Sequence, residues 1–140
     1  PDATATFHGL KAGTTRIGMY RAVMEGASFA LTRIFEQVVR QVGDPVSIGV
    51  TGGGANSAVS VQMLADLTGH PLALTDGASE GRGAALFCSV ATGNHTTLDE
   101  ATAAMIRTRE VTPSERTSDW AAARSRWEAV YDAVGHLAPS

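Results

Sequence analysis

At 140 residues, with 44% hydrophobic and 18% charged side chains, the chain has the size and composition of one globular domain. A formal charge of −3, with basic residues scattered along the length, leaves no electrostatic footprint for nucleic acid. No apolar run approaches the roughly 20 residues needed to cross a bilayer, and the first eight residues lack the pattern of a secretory signal. A cytoplasmic setting with no membrane contact is therefore expected.

Residues 5–10 read as an extended segment, and a loop over 11–15 leads into a long helical pattern over about 15–42, with Thr14 or Thr15 as its cap. Within it Ile17, Tyr20, Met24, Ala27, Leu31, Ile34, Val38 and Val42 recur every three or four residues, which predicts a helix facing the core along that stripe. Small residues at Ala22, Gly26, Ala27 and Ala30 would let another backbone come close. Arg21 and Glu25, four apart, form an expected surface pair. Gly43, Asp44 and Pro45 end the helix, and the β-branched run 46–51 predicts a short buried strand.

Gly52, Gly53 and Gly54 break that strand, and Ala55, Asn56 and Ser57 lead into a second helix over about 58–68, ended by Gly69. On it Val59, Met63 and Leu67 share one side, whereas Gln62 and Asp66 point elsewhere. A further strand is expected over 71–75. The glycine- and alanine-rich stretch 81–92 predicts a closely packed helix ended by Gly93 and Asn94, with Cys88 as a buried small residue. Thr97 and Glu100 have the spacing of a capping box before a helix through Ile106. A last helix over about 114–137 carries Trp120, Trp127, Val130, Tyr131 and Val134. Strands alternating with helices give the fold class α/β. With no repeat or long linker in the sequence, residues 1–140 are expected to form a single domain.

One cysteine excludes an internal disulfide. His8, His70, His95 and His136 are far apart and read as surface or capping residues, so no metal site is expected. The stretch that points to a ligand is 52–57. Glycines between a strand and a helix let a flat ring or a phosphate lie against bare backbone, and Asn56 and Ser57 add side-chain donors and acceptors. The turn has no Walker lysine and does not fit the dinucleotide spacing, so on spacing alone a purely structural turn and a ligand site stand equal.

Three ordered blocks nevertheless resemble the FGGY carbohydrate kinases, and its xylulokinase-like members in particular. The first is 5–10 followed by Arg21, Ala22, Glu25 and Gly26, similar to that family's second signature except that Gly18 stands where a polar residue is preferred. The second is 51–57 followed by Gln62, Ala65 and Asp66, similar to its GGGA-x-S…Q-x-x-AD stretch. The third is 80–86, similar to the helix that follows. This resemblance implies the later part of a C-terminal domain of the actin/hexokinase (ribonuclease H-like) ATPase type, lacking the N-terminal sugar-binding domain. It implies ATP as cosubstrate, with Gly53, Gly54 and Ala55 against the adenosine and Asn56 or Ser57 hydrogen-bonding it.

Transfer of the γ-phosphate to a hydroxyl of a pentulose, related sugar or polyol needs a carboxylate base and Mg2+, whose matching family elements lie upstream. No catalytic residue is assigned among Asp2, Asp44, Asp66 and Asp76, and for Asp66 a capping, solvated or domain-contact role is expected. By itself the chain is expected to be inactive. A free-standing nucleotide-binding or regulatory module, and an inactive remnant, are the other readings. Family analogy suggests a homodimer.

Overall fold

A computed structural model of the chain describes residues 5–75, 79–115 and 117–135. Its elements run, in chain order, α1 (Arg16–Val42), β1 (Ile48–Val50), a 3-10 turn (Gly53–Asn56), α2 (Ala58–Thr68), β2 (Leu72–Thr75), α3 (Ser79–Ala91), α4 (Leu98–Met105), β3 (Thr108–Val111) and α5 (Thr117–Gly135). Local hydrogen bonds set the ends of the first two helices. Thr15 Oγ1 accepts from the amide of Gly18 at the start of α1, and Ser57 Oγ accepts from the amide of Ser60 at the start of α2. Gly69 closes α2 in the left-handed region, at φ +68°, with its amide donating to the carbonyl of Ala65. The expected capping pair also forms at α4: the Glu100 amide donates to Thr97 Oγ1, and the Glu100 carboxylate accepts from the amide of Thr96.

The sheet has the order β1-β2-β3 among the described residues, with β2 parallel to β1 and antiparallel to β3. Ile48 faces Leu72 in register, and Leu72 in turn faces Val111. The parallel step from β1 to β2 is made through α2, which lays Val61, Leu64 and Ala65 on the sheet against Leu72 and Leu74, with Ile48, Val50 and Val111 at the margins. Full burial of a side chain such as Val61 or Leu72 contributes about 1.5–3 kcal/mol.

Helix α1 packs against α2 and α5 rather than on the strands. Phe29, 3% exposed, is the joint: Trp120 meets it edge-on at 6.3 Å and Trp127 lies at 5.7 Å between ring centroids. Tyr131 stacks beside Trp127 and carries the Arg33 guanidinium 5.0 Å from its ring centroid. A fork of two hydrogen bonds from Arg124 to the Glu36 carboxylate (2.5 and 2.6 Å) ties the same two helices and holds Glu36 below the usual carboxylate range. Where Trp127 crosses α1, a Cβ on Gly26 would stand 3.6 Å from its indole nitrogen, an ordinary side-chain contact rather than the close backbone approach expected from the small residues of α1.

Several expectations need correction. The periodic stripe of α1 is not its core face: Ile17, Tyr20, Leu31, Ile34, Val38 and Val42 are all exposed, and the buried positions are Ser28, Phe29 and Thr32. Thr32 avoids an unpaired hydroxyl there by donating to the carbonyl of Ser28. Strand β1 is shorter than 46–51 and only half-buried, because one of its edges has no described neighbour. Cys88 is exposed rather than buried, as is Phe87 beside it, because α3 packs chiefly on α4 and this face turns outward. A Cβ on Gly81 or Gly83 would meet nothing among the described residues, so the small side chains of α3 serve no close approach within them.

Strand β3 was absent from the periodicity: Thr-Arg-Glu-Val has no apolar alternation, and its partner β2 lies more than thirty residues earlier. Asp2, Asp76 and His136 lie outside the described residues. No described helix is long and apolar enough to cross a membrane.

Candidate functional site

The Gly52–Ser57 turn sits between the end of β1 and the start of α2. Gly52 has φ +86°, a conformation that nearly every other residue resists, so this first glycine is demanded by the backbone. The chain then closes a single 3-10 turn, in which the Ala55 amide donates to the Gly52 carbonyl and the Ser57 amide to that of Gly54. Gly53 and Gly54 differ from Gly52 in kind. Neither has positive φ, and a Cβ on either would meet nothing within 4 Å among the described residues. Nothing in the turn's own geometry requires these two to be glycine.

The rest of the turn divides its duties. Ser57 is already engaged as the cap of α2, its Oγ accepting from both the amide and the hydroxyl of Ser60 (3.3 and 3.1 Å), which leaves its own O–H to donate elsewhere. Asn56 is exposed and Ala55 half-buried. Beyond the first turn of α2 lies an open cleft of about 530 Å3, lined by Arg21, Ala58, Val59, Gln62, Met63, Asp66, Ser114 and Trp120. Arg21 is held at its rim by Glu25 at 2.7 Å, the expected pair.

At the floor of that cleft sequence reasoning missed a side chain that organises the site. Asp66 is 6% exposed and accepts four hydrogen bonds: from Gln62 Nε2 (2.9 Å) and the Ser114 amide (2.7 Å) on one oxygen, and from the Ser114 hydroxyl (3.0 Å) and Trp120 Nε1 (3.3 Å) on the other. Burial pushes its carboxyl up, but the donors from Ser114, Gln62 and Trp120 together outweigh it and the group stays ionised below the ordinary carboxylate range. Gln62 also donates to the Thr112 carbonyl. The expected solvated or capping role is thus replaced by an internal one, in which Asp66 clamps α2 to the 112–114 segment and to α5. The available signal was Gln62 and Asp66 at a spacing of four on a largely apolar helix.

Other polar candidates resolve as local fastenings. Ser89 Oγ lies 2.5 Å from His95 Nδ1, while the amides of Asn94 and His95 both donate to the Ser89 carbonyl, so the pair closes the C-terminal turn of α3. His70 Nδ1 lies 2.6 Å from the Thr68 carbonyl, and its ring meets Phe35 edge-on. Among the described residues no group of three or more His, Cys, Asp or Glu gathers in a way that could hold a metal ion.

Residues 1–92 match the model of the FGGY family of carbohydrate kinases, C-terminal domain. The chain belongs to that FGGY family. A glycerol kinase of Acidovorax sp. (strain JS42) is 33% identical over 143 aligned residues, covering 96% of this chain and 28% of its own length. The L-xylulose/3-keto-L-gulonate kinase of Escherichia coli (strain K12) is 35% identical over 101 residues, 71% of this chain and 20% of that protein. Among solved structures, the crystal structure of xylulose kinase from Rhodospirillum rubrum superposes with a TM-score of 0.75 at 26% identity, over 98% of this chain and 28% of that one. The FGGY segment therefore has the α/β, actin/hexokinase-type ATPase fold, and it spans less than a third of the length of the relatives it matches.

Proposed function

We propose that this FGGY segment supplies the adenosine-binding portion of an ATP-dependent carbohydrate kinase, which transfers the γ-phosphate of ATP to a hydroxyl of a pentulose, a related sugar or a polyol in the cytoplasm. The observation that carries this reading is the pair Gly53 and Gly54. Both lack a side chain where neither backbone angle nor packing asks for its absence, which leaves bare, open backbone at the start of α2. A flat purine nucleoside is a group that bare backbone can take face-on. Gly53, Gly54 and Ala55 then form the contact surface, with the Asn56 amide and the Ser57 O–H as hydrogen-bonding groups at its edge.

The described chain offers no group for the remaining chemistry. Asp66, its buried acid, has both oxygens committed to hydrogen bonds and stands in no position to accept a proton from a substrate hydroxyl. The base, the Mg2+ ligands and the phosphate loops are assigned to preceding sequence in a longer protein, as is the sugar-binding domain, because phosphoryl transfer needs all of them positioned together. The names of the relatives, glycerol kinase and xylulose kinase, support a polyol or pentulose acceptor.

A coupled ADP-release assay on the longer gene product, run over a panel of polyols, pentuloses and aldonic acids, checks the reading. ADP release dependent on one of these acceptors is expected, with none from the 140-residue chain. A longer product that releases no ADP with any acceptor, and shows no thermal stabilisation by ATP, would remove it.

A further inference from the structure

We infer that Arg82, in the first turn of α3, is a further nucleotide-binding residue of this segment, and that its guanidinium takes a phosphoryl oxygen of the ATP whose adenosine lies on the Gly52–Ser57 turn. The starting observation is a charge without a partner. Arg82 makes no hydrogen bond or ion pair among the described residues, and its Nη1 is closed off from water with nothing to accept from it. Native structures avoid that state, either by pairing the nitrogen or by leaving it in solvent.

The other described arginines show both solutions. Arg21, Arg33 and Arg124 are paired, with Glu25, Asp132 and Glu36, and the rest are exposed to water. Among the described residues Arg82 alone is a half-buried arginine without a counter-charge. Its place on the helix explains the burial. Along α3 residues 82, 85, 86, 89 and 90 are covered and 81, 84, 87, 88 and 91 are exposed, so Arg82 heads a covered side that continues as Ala85, Leu86, Ser89 and Val90. None of those side chains carries a negative charge, and half-burial leaves the guanidinium reachable from outside.

Where the anion comes from follows from the sheet. β1 and β2 are parallel, with Val50 opposite Leu74, so their C-terminal ends lie at one edge, β1 running into the glycine turn and β2 into the connection to α3. Open parallel sheets bind their ligands outside the carboxyl ends of the strands. Neighbouring strands are about 4.8 Å apart, so one nucleotide is long enough to meet both connections. Gly81 and Gly83 flank Arg82, and a Cβ on either would meet nothing among the described residues, so no neighbouring side chain guards the guanidinium. A phosphoryl group suits it, because the planar fork can give two parallel hydrogen bonds to its oxygens. Arg82 is a binding contact only; the base, the Mg2+ ligands and the phosphate loops stay assigned to preceding sequence. This assignment rests on nucleotide at the glycine turn.

Calorimetric binding of ATP, ADP and adenosine to the longer gene product, unsubstituted and as Arg82→Gln and Arg82→Lys, tests it. Arg82→Gln should weaken ATP and ADP about 10-fold, the effect of losing a charge-assisted contact, and leave adenosine within about 2-fold. Arg82→Lys keeps the charge without the fork and should weaken ATP about 3-fold; the same ATP-to-adenosine ratio, read in that variant, decides the matter should Arg82→Gln fail to fold. Unchanged ATP affinity in either variant, with ATP and adenosine still bound, overturns the role of Arg82 and leaves the glycine turn in place. Equal losses for ATP and adenosine also overturn it, since Arg82 would then act through the fold of the turn. So does a lower melting temperature of the ligand-free variant with an unchanged ATP-to-adenosine ratio, which assigns the anion to a carboxylate of the preceding chain. An unsubstituted protein that binds neither ATP nor adenosine removes the nucleotide reading itself, and this inference with it.

Discussion

Asp66→Ala is expected to lower the stability of the chain by about 3 kcal/mol, because it strands donors that the native, buried carboxylate satisfies. Gln62 keeps the Thr112 carbonyl as a partner, but Trp120 Nε1 and the Ser114 amide and hydroxyl lose theirs. Asp66→Asn should cost about half as much. One oxygen still accepts from Gln62 and the Ser114 amide, whereas the new NH2 group faces the indole N–H as a second donor.

The effect has a pH signature. The folded carboxyl of Asp66 lies below its unfolded value, so its contribution is complete above the ordinary carboxylate range and is lost as pH falls through the depressed folded value. The stability difference between the native chain and Asp66→Ala is therefore largest near neutrality and shrinks in acid. Urea denaturation followed by tryptophan fluorescence reads this directly, since both tryptophans, Trp120 and Trp127, lie in the contact between α1 and α5. A difference below about 1 kcal/mol at neutral pH, or one that grows in acid, would show that Asp66 is not the clamp described.

Gly54→Val carries the largest expected effect on ligand. A branched side chain there projects into the space assigned to the adenosine, and ATP affinity of the longer protein should fall about 100-fold, or roughly 2.7 kcal/mol. The fold should hardly respond. The backbone angle at Gly54 is one that other residues accept, and the first added carbon meets no described atom, so the change in stability should stay near 0.5 kcal/mol. Affinity and stability falling together would mean that the turn is a backbone device. Undiminished ATP affinity in a stable Gly54→Val protein would place the nucleotide elsewhere.

Helix ends were legible in the sequence because their causes are local. Thr15, Ser57 and Thr97 accept from amides three residues on, and Gly69 supplies a left-handed turn, so each boundary is written within one turn of chain. Periodicity likewise found an apolar face on α1, but the pattern says only that a face is apolar, not what covers it. The stripe looks outward in this chain, while Ser28, Phe29 and Thr32, two of them polar, form the packed side. The fate of Cys88 was lost for the same reason, since burial on α3 depends on neighbours that its own composition does not specify.

Long-range terms hid the rest. β3 exists because Val111, Glu110, Arg109 and Thr108 find register with β2, and an edge strand with a solvated face needs no alternation of its own. For Asp66 a capping, solvated or domain-contact role was expected because Ser114 and Trp120, which make it internal, lie about fifty residues away. In the glycine turn, three identical letters concealed two roles. Only the backbone angle of Gly52 separates the structural glycine from the two beside it, for a Cβ would meet nothing among the described residues at any of the three.

Photolabelling with an azido-adenine analogue of ATP on the longer protein tests the central assignment most directly. Sequenced label should fall between Gly52 and Ser57, should be suppressed by ATP and by adenosine, and should survive inorganic tripolyphosphate, since the turn is assigned to adenosine and not to the phosphates. Label confined to another segment, or label at the turn that adenosine does not compete away, would contradict it.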